Sequence, residues 1–259
     1  ENATLFLPAM VSAAMSLGSL LLVVFVLKES LPAARRGDHQ QGILVNINPF
    51  KGISKLVDRS LLLKIIIAWL LFNLASGLVE TIFPVWIKGT GIIHGPSGMW
   101  PIFLCAGLSM AVIQGTAIGP LARKFGEHRL LKIGALCYGL SLLATAVAGN
   151  SGSYLYVVMA MTLQAAAMAL VITPMQSLAS MRAGESERGW IMGVFSSVGT
   201  IGRFIGPLTT GLLYELVHQN APFYTGFILC LLMLVVIFMI KKQSAAEDQK
   251  SLAGIVHKT

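Results

Sequence analysis

Two charged side chains lie well inside long apolar runs of this sequence, away from the starts of those runs. Glu80 falls in the run 61–87, and Arg203 falls in the run 190–214. A charged side chain at the centre of a bilayer costs about 3 kcal/mol or more, so such a residue is expected to face protein or water instead of lipid. We therefore predict that both side chains point into the interior of a helical assembly.

The polar residues of the run 61–87 are three and four positions apart, which places them on one face of a helix. They are Asn73, Ser76, Gly77, Glu80 and Pro84. Asn73 and Ser76 are predicted to line a cavity that takes a small molecule. Because removal from water favours the neutral form of a carboxylic acid, Glu80 is the candidate for binding and releasing a proton. The alternative is that Glu80 lies at the wet outer mouth of the cavity and only solvates it.

Small or polar residues surround Arg203 at helical spacing, and they leave room for a guanidinium group: Ser196, Gly199, Thr200, Gly206, Pro207 and Thr210. Arg203 is either a switch that changes partners or attracts an anion, or a structural arginine hydrogen-bonded to backbone. Among the amides, Gln164 is assigned to the cavity and Gln114 to helix packing or switching. Each amide could instead make an interhelical hydrogen bond.

Motifs of soluble enzymes are absent from the sequence. It has no phosphate-binding loop of the Gly-x4-Gly-Lys-Ser/Thr type, no nucleophile elbow and no pair of histidines at metal-ligand spacing. The three cysteines, Cys105, Cys137 and Cys230, lie in apolar runs and read as small apolar residues. We therefore expect no catalytic residues, no cofactor, no metal and no enzyme activity.

The composition places the chain in a membrane. Of its 259 residues, 55% are hydrophobic and 12% are charged, whereas a soluble domain has roughly 25% charged residues. We predict an all-α, polytopic membrane bundle with seven transmembrane helices, because seven apolar stretches are long enough to span a bilayer. They cover about 4–27, 61–87, 99–122, 130–149, 154–179, 190–214 and 222–240.

The positive charges indicate the orientation. Seventeen of the 19 Lys and Arg residues lie after spans one, three, five and seven or at the adjoining helix starts. Lys88 lies on the opposite side, and Arg203 lies within a span. Since cytoplasmic loops carry the excess of Lys and Arg, residue 1 is predicted to be outside and the C-terminus in the cytoplasm. The net charge of +8 thus indicates topology, and no nucleic-acid partner is expected.

Two similar motifs suggest an internal repeat. Gly-x-x-x-Gly-Pro occurs at Gly115–Pro120 and again at Gly202–Pro207, three helices apart. Glycine at this spacing lets helices approach closely in lipid, and two three-helix repeats form each half of rocker-switch transporters. We assign helix packing or switching to Gly115, Gly119, Gly193, Gly202, Gly206 and Pro207.

Three segments resemble the major facilitator superfamily, in particular its drug/proton antiporter branch, which includes the tetracycline exporters. "FVLKESLP" (25–32) resembles the end of the sixth helix and the start of the central loop. "GPLARKFGEHR" (119–129) resembles the loop signature Gly-x-Leu-Ala-Asp-Arg-x-Gly-Arg-Arg. The third segment, Gly193-x8-Gly202-x3-Gly206-Pro207-x2-Thr210-Gly211, resembles the antiporter glycine motif, with Thr210 where glycine is usual.

The resemblance implies the C-terminal half of such a transporter. Residues 1–27 would be the last helix of a missing N-terminal half, 28–60 the cytoplasmic central loop, 61–240 the six-helix half and 241–259 a cytoplasmic tail, disordered or on the membrane surface. The first and fourth helices of the half would line the cavity, the second and fifth would meet the other half, and the third and sixth would face lipid. Arg123 stands where the signature has aspartate, so the family's cytoplasmic charge lock is in doubt.

The function that the resemblance implies is secondary active transport by alternating access. We expect proton-coupled efflux of a drug or metabolite in a multi-pass protein, with the plasma membrane favoured over an organelle. A uniporter or symporter for a nutrient is the alternative. A non-transporting membrane adaptor or a seven-helix receptor is the alternative of a different class, although "GPLARKFGEHR" lacks the Asp-Arg-Tyr-like triplet of receptors. The expected partners are lipid, a small-molecule substrate, protons and the missing half.

Overall fold

The computed structural model of the chain describes residues 2–26, 59–183 and 187–256. Within these ranges all regular elements are helical, and seven helices are long and apolar enough to cross a membrane. The prediction of an all-α bundle is therefore confirmed. The chain separates into two compact units, Glu1–Pro49 and Phe50–Thr259.

In the first unit the structure describes one helix, α1, Asn2–Val26. Its sequence is mostly apolar, and the side chains described for it are exposed. It coincides with the first predicted span. The predicted central loop, 28–60, lies outside the described residues except for its last two positions.

In the described part of the second unit there are six long helices and one short 3-10 turn, Pro96–Gly98. The long helices are α2 (Ser60–Gly89), α3 (Trp100–Phe125), α4 (Glu127–Ser151), α5 (Tyr154–Arg182), α6 (Arg188–Leu216) and α7 (Ala221–Val256). Gly126 has a φ of 76° at the turn from α3 to α4, a conformation that glycine adopts without steric cost. Helix α7 continues through 241–256, so the tail differs from the disordered alternative of the prediction, whereas a position on the membrane surface stays a prediction.

Helix α2 is the centre of the unit. Of its membrane span 67% is buried, against 17% for α3, and it packs mainly against α6 and α7. The α4 span was predicted to face lipid, but 56% of it is buried because it packs against α5 and α7. Helices α3 and α6 keep the largest uncovered faces of the six, as expected of helices that meet a further part of the protein.

Glycines bring the backbones of α2 and α6 into contact. A Cβ atom on Gly202 would lie 2.8 Å from the Cβ of Asn73, and one on Gly206 would lie 2.7 Å from the carbonyl carbon of Gly77. Because the higher-numbered glycine meets the higher-numbered partner, the two helices run parallel. The Thr210 hydroxyl extends the contact by donating to the Leu78 carbonyl at 2.7 Å. We call this contact the glycine seam.

The first copy of the glycine motif is in a different environment. A Cβ atom on Gly115 or Gly119 would meet nothing within 4 Å. Gly115 also belongs to a π-helical turn, Ile113–Ala117, which interrupts α3. The two copies of the motif are thus similar in sequence but do not make equivalent contacts within this unit.

A partly buried polar cluster lies at the end of the bundle at which α2 terminates. The Trp86 indole N–H donates to Asn220 Oδ1 at 2.7 Å, and Asn220 Nδ2 donates to Asn150 Oδ1 at 3.1 Å. Gly149 leaves room for the indole, since a Cβ atom there would collide with the Trp86 ring. The cluster joins α2, α4 and the segment before α7.

At the opposite end of the bundle, polar contacts are closer to solvent. Arg59 forms an ion pair with Glu187 at 2.7 Å, and both side chains are partly exposed. An exposed pair of this kind contributes at most about 1 kcal/mol. The Ser177 hydroxyl donates to Glu127 and joins α5 to the start of α4. Arg123, which replaces the aspartate of the family signature, is exposed.

The glycine seam predicts a position-specific effect of added methyl groups. Gly206→Ala should destabilise the protein by about 1–3 kcal/mol, because the new Cβ would overlap the backbone of α2. Gly211→Ala is the matched control, since a Cβ atom there would meet nothing within 4 Å. Thermal unfolding of the purified full-length protein measures both variants. Equal unfolding midpoints for the two variants would contradict the close backbone contact at the glycine seam.

Candidate functional site

A cleft of about 410 Å³ opens between α2, α5 and α6. It is lined by aromatic, aliphatic and polar side chains, and one of its lining residues, Arg203, is charged. The lining residues are Trp69, Asn73, Ile172, Gln176, Met192, Phe195, Ser196, Gly199, Thr200 and Arg203. The volume lies within the range of roughly 300–1,000 Å³ that is usual for small-molecule sites.

A buried amide holds Arg203 at the edge of the cleft. Arg203 Nε donates to Asn73 Oδ1 at 3.1 Å, and Asn73 Nδ2 donates to the Trp69 carbonyl at 2.8 Å. The second bond fixes the amide so that its oxygen faces the guanidinium group. The terminal nitrogens of Arg203 have no hydrogen-bond partner among the described residues, and the side chain is exposed. The guanidinium group is therefore positioned but retains most of its donors.

An aromatic pair forms the apolar wall of the cleft. The rings of Trp69 and Phe195 stack with centroids 4.4 Å apart and an interplanar angle of 15°. Gly199 makes this possible, because a Cβ atom there would lie 2.5 Å from Trp69 Nε1. Ile172 and Met192 extend the apolar surface from the neighbouring helices.

Glu80 lies close to this cleft without lining it. A Cβ atom on Gly77 would be 3.2 Å from the Arg203 Cα, and Glu80 follows Gly77 by three residues, or about 4.5 Å along the helix axis. Glu80 is exposed, makes no hydrogen bond or ion pair with another described residue, and lies within electrostatic range of Arg203. Two opposite charges are thus neighbours along the seam but do not touch.

The other predicted cavity residue of α2 occupies a different position. Ser76 is fully buried, and its hydroxyl donates to the Asn73 carbonyl at 3.2 Å. It does not line the cleft. The predicted polar face is therefore split: Asn73 and Ser76 lie in the packed part of α2, and Glu80 lies on the uncovered part.

Gln164 lies in the interior of the bundle with a residue that the sequence analysis missed. Gln164 and Tyr138 are buried and close enough to interact. Nevertheless the Gln164 carbonyl oxygen and the Tyr138 hydroxyl make no well-formed hydrogen bond with the described residues. Tyr138 lies in α4, which was expected to face lipid. The flanking Gly134 and Gly139 were the available signal, because each is in tight contact with a neighbouring helix.

The remaining predicted packing residues fall into two groups. Gly202, Gly206 and Pro207 lie at the seam, where the Pro207 ring would be 3.4 Å from a Cβ atom on Gly77. Gln114, Gly115, Gly119 and Gly193 are exposed on α3 and α6 and lie outside the cleft. The structure thus brings Asn73 and Arg203 together, places Glu80 beside them, and leaves the second group apart.

Sequence comparison decides the family. The model of the Major Facilitator Superfamily matches residues 5–207 and 94–257. The chain belongs to the major facilitator superfamily. Its fold, with seven helices of membrane-spanning length in the described ranges, agrees with this family, and the protein is an integral, multi-pass membrane protein of a transporter family rather than an enzyme.

Two named relatives are similar to the chain over most of its length. The chain is 24% identical over 238 residues to tetracycline resistance protein, class E, of Escherichia coli, covering 90% of this chain and 56% of the relative. It is 24% identical over 194 residues to multidrug resistance protein MdtG of Escherichia coli, covering 73% of this chain and 47% of the relative. The chain thus spans about half the length of the curated relatives it matches.

The orphaned hydroxyl of Tyr138 gives a prediction about stability. Because a buried polar group without a partner costs about 1–3 kcal/mol, Tyr138→Phe should leave the stability unchanged or raise it by about 1 kcal/mol. Tyr154→Phe is the matched control and should destabilise, since the Tyr154 hydroxyl donates to the Gly98 carbonyl at 2.9 Å. Thermal unfolding tests both, and a clear loss of stability in Tyr138→Phe would show that this hydroxyl has a partner.

Proposed function

We propose that the full-length protein exports a small amphipathic molecule in exchange for protons by alternating access. Family membership supports transport, and the relatives named for tetracycline and multidrug resistance support export. The local support is the cleft between α2, α5 and α6, with its apolar wall and its single charged lining residue.

The observation that carries this proposal is the pair of opposite charges at the glycine seam. Glu80 and Arg203 both lie within membrane-spanning helices, and both are exposed on the surface of the six-helix unit. Lipid contact would be costly for each of them. Water, a ligand or a further part of the protein must therefore solvate this face, as the wall of a central transport path requires.

Proton coupling is assigned to Glu80. Arg203 on α6 acts electrostatically on Glu80, and Glu80, Arg203 and Cys230 on α7 act in turn on the buried Tyr138 on α4. An arginine stays protonated at every relevant pH. In this proposal a proton on Glu80 removes the negative charge that the substrate needs, so that proton and substrate bind in alternation.

The organisation of the transporter follows from the uncovered helix faces. In this proposal residues 61–240 are the C-terminal six-helix half, and the exposed faces of α3 and α6 meet an N-terminal half. The basic segments support a cytoplasmic C-terminus, and the plasma membrane is the proposed location. Glu80 and Arg203 then face the space between the two halves.

Replacing the proposed coupling residue tests this function. In proteoliposomes with an imposed pH gradient, uptake of labelled tetracycline by wild type should rise several-fold over uptake without a gradient. Glu80→Gln should remove that dependence, because the amide cannot exchange a proton. Glu215→Gln, at an exposed carboxylate near the end of α6, is the matched control and should behave as wild type.

Two results would contradict the proposal. Unchanged gradient dependence in Glu80→Gln would exclude this residue as the coupling site. Faster accumulation when the gradient is reversed would indicate proton-linked uptake in place of export.

A further inference from the structure

We propose that the site takes an amphoteric molecule, which presents an acidic group to Arg203 and a basic group to Glu80 on one apolar body. This inference rests on the proposed function, because it names the class of molecule that the same site would carry.

The acidic end is specified by Arg203. Asn73 engages Nε alone, so the terminal N–H groups remain available within the described part of the chain. The residues that line the cleft include no carboxylate. A guanidinium group in this state matches a carboxylate or a similar planar anion, which it binds through two parallel charge-assisted hydrogen bonds.

The basic end is specified by Glu80. Its carboxylate has no hydrogen-bond or ion-pair partner in the ranges that the structure describes, although Arg203 lies within electrostatic range. A ligand with one charge would satisfy one of these two residues and leave the other uncompensated in surroundings of low dielectric. A ligand with both charges satisfies the two residues at once and adds no net charge to the site.

The spacing of the site fits one molecule of modest size. The Arg203 backbone lies beside Gly77, about one helical turn from Glu80. The Trp69–Phe195 stack, Ile172 and Met192 line the cleft together with Arg203 and offer an apolar surface to the body of the ligand. Because the basic group and a proton would occupy the same carboxylate, this ligand class also provides the competition that exchange requires.

A matched set of three probes tests the inference on the full-length protein in lipid nanodiscs. The amphoteric probe is para-aminomethylbenzoic acid, the acidic probe is para-toluic acid and the basic probe is para-methylbenzylamine. Isothermal titration calorimetry at neutral pH should give a Kd for the amphoteric probe that is about tenfold lower than the Kd of either single-charge probe, since each of those lacks one charged contact. An amphoteric probe that binds no better than the stronger single-charge probe, or not at all, overturns the inference.

Variants assign the two ends. In Arg203→Gln the amphoteric probe should bind with the same Kd as the basic probe. In Glu80→Gln it should bind with the same Kd as the acidic probe. Lys88→Gln and Glu215→Gln, at exposed charges elsewhere in α2 and α6, should preserve the wild-type order. An advantage that survives in both site variants overturns the assignment, and the wild-type series decides the ligand class even where a variant does not fold.

The binding and transport experiments distinguish a failure of the proposed ligand class from a failure of the proposed function. Equal binding of the three probes, together with gradient-dependent transport that needs Glu80, would refute the ligand class and leave the proposed function standing. An amphoteric preference that needs both residues, together with transport that ignores the pH gradient, would support the ligand class and refute the coupling.

Discussion

The backbone contact between α2 and α6 determines where the charges of the candidate site lie. Gly202 and Gly206 remove the side chains that would hold the helices apart, and Gly77 does the same from the other side. The Arg203 backbone consequently lies against α2, within reach of the Asn73 amide. A larger residue at any of these glycines would displace Arg203 from its hydrogen bond and change its distance to Glu80. The geometry of the site therefore depends on the absence of three side chains.

The electrostatic balance at this contact is incomplete. Asn73 satisfies one nitrogen of Arg203 and is itself held by the Trp69 carbonyl, but a neutral amide does not cancel a positive charge. In the cluster of Trp86, Asn150 and Asn220, by contrast, neutral polar groups pair with one another and leave no charge to be balanced.

The sequence was sufficient to predict which segments form helices, but not which face of each helix is covered by a neighbouring helix. Length and hydropathy determine the spans because the bilayer requires about 20 apolar residues per helix. Arg203 was expected to lie among small residues, and it does. Its bond to Asn73 could not be predicted, since helical periodicity shows which residues share a face but not which helix covers that face. Tyr138 was missed for the same reason: α4 is apolar enough for lipid, and its burial depends on contacts with α5 and α7.

The π-helical turn at Ile113–Ala117 has a consequence for how the two repeats can be compared. Such a turn holds one residue more than a regular turn, so it rotates the rest of α3 by about 100° relative to an uninterrupted helix. The letters Gly-x-x-x-Gly-Pro can then coincide in the two repeats while their side chains point in different directions. An alignment of α3 with α6 that matches the directions of their side chains needs a gap of one position near residue 115. A comparison of the repeats by letters alone would overlook that offset.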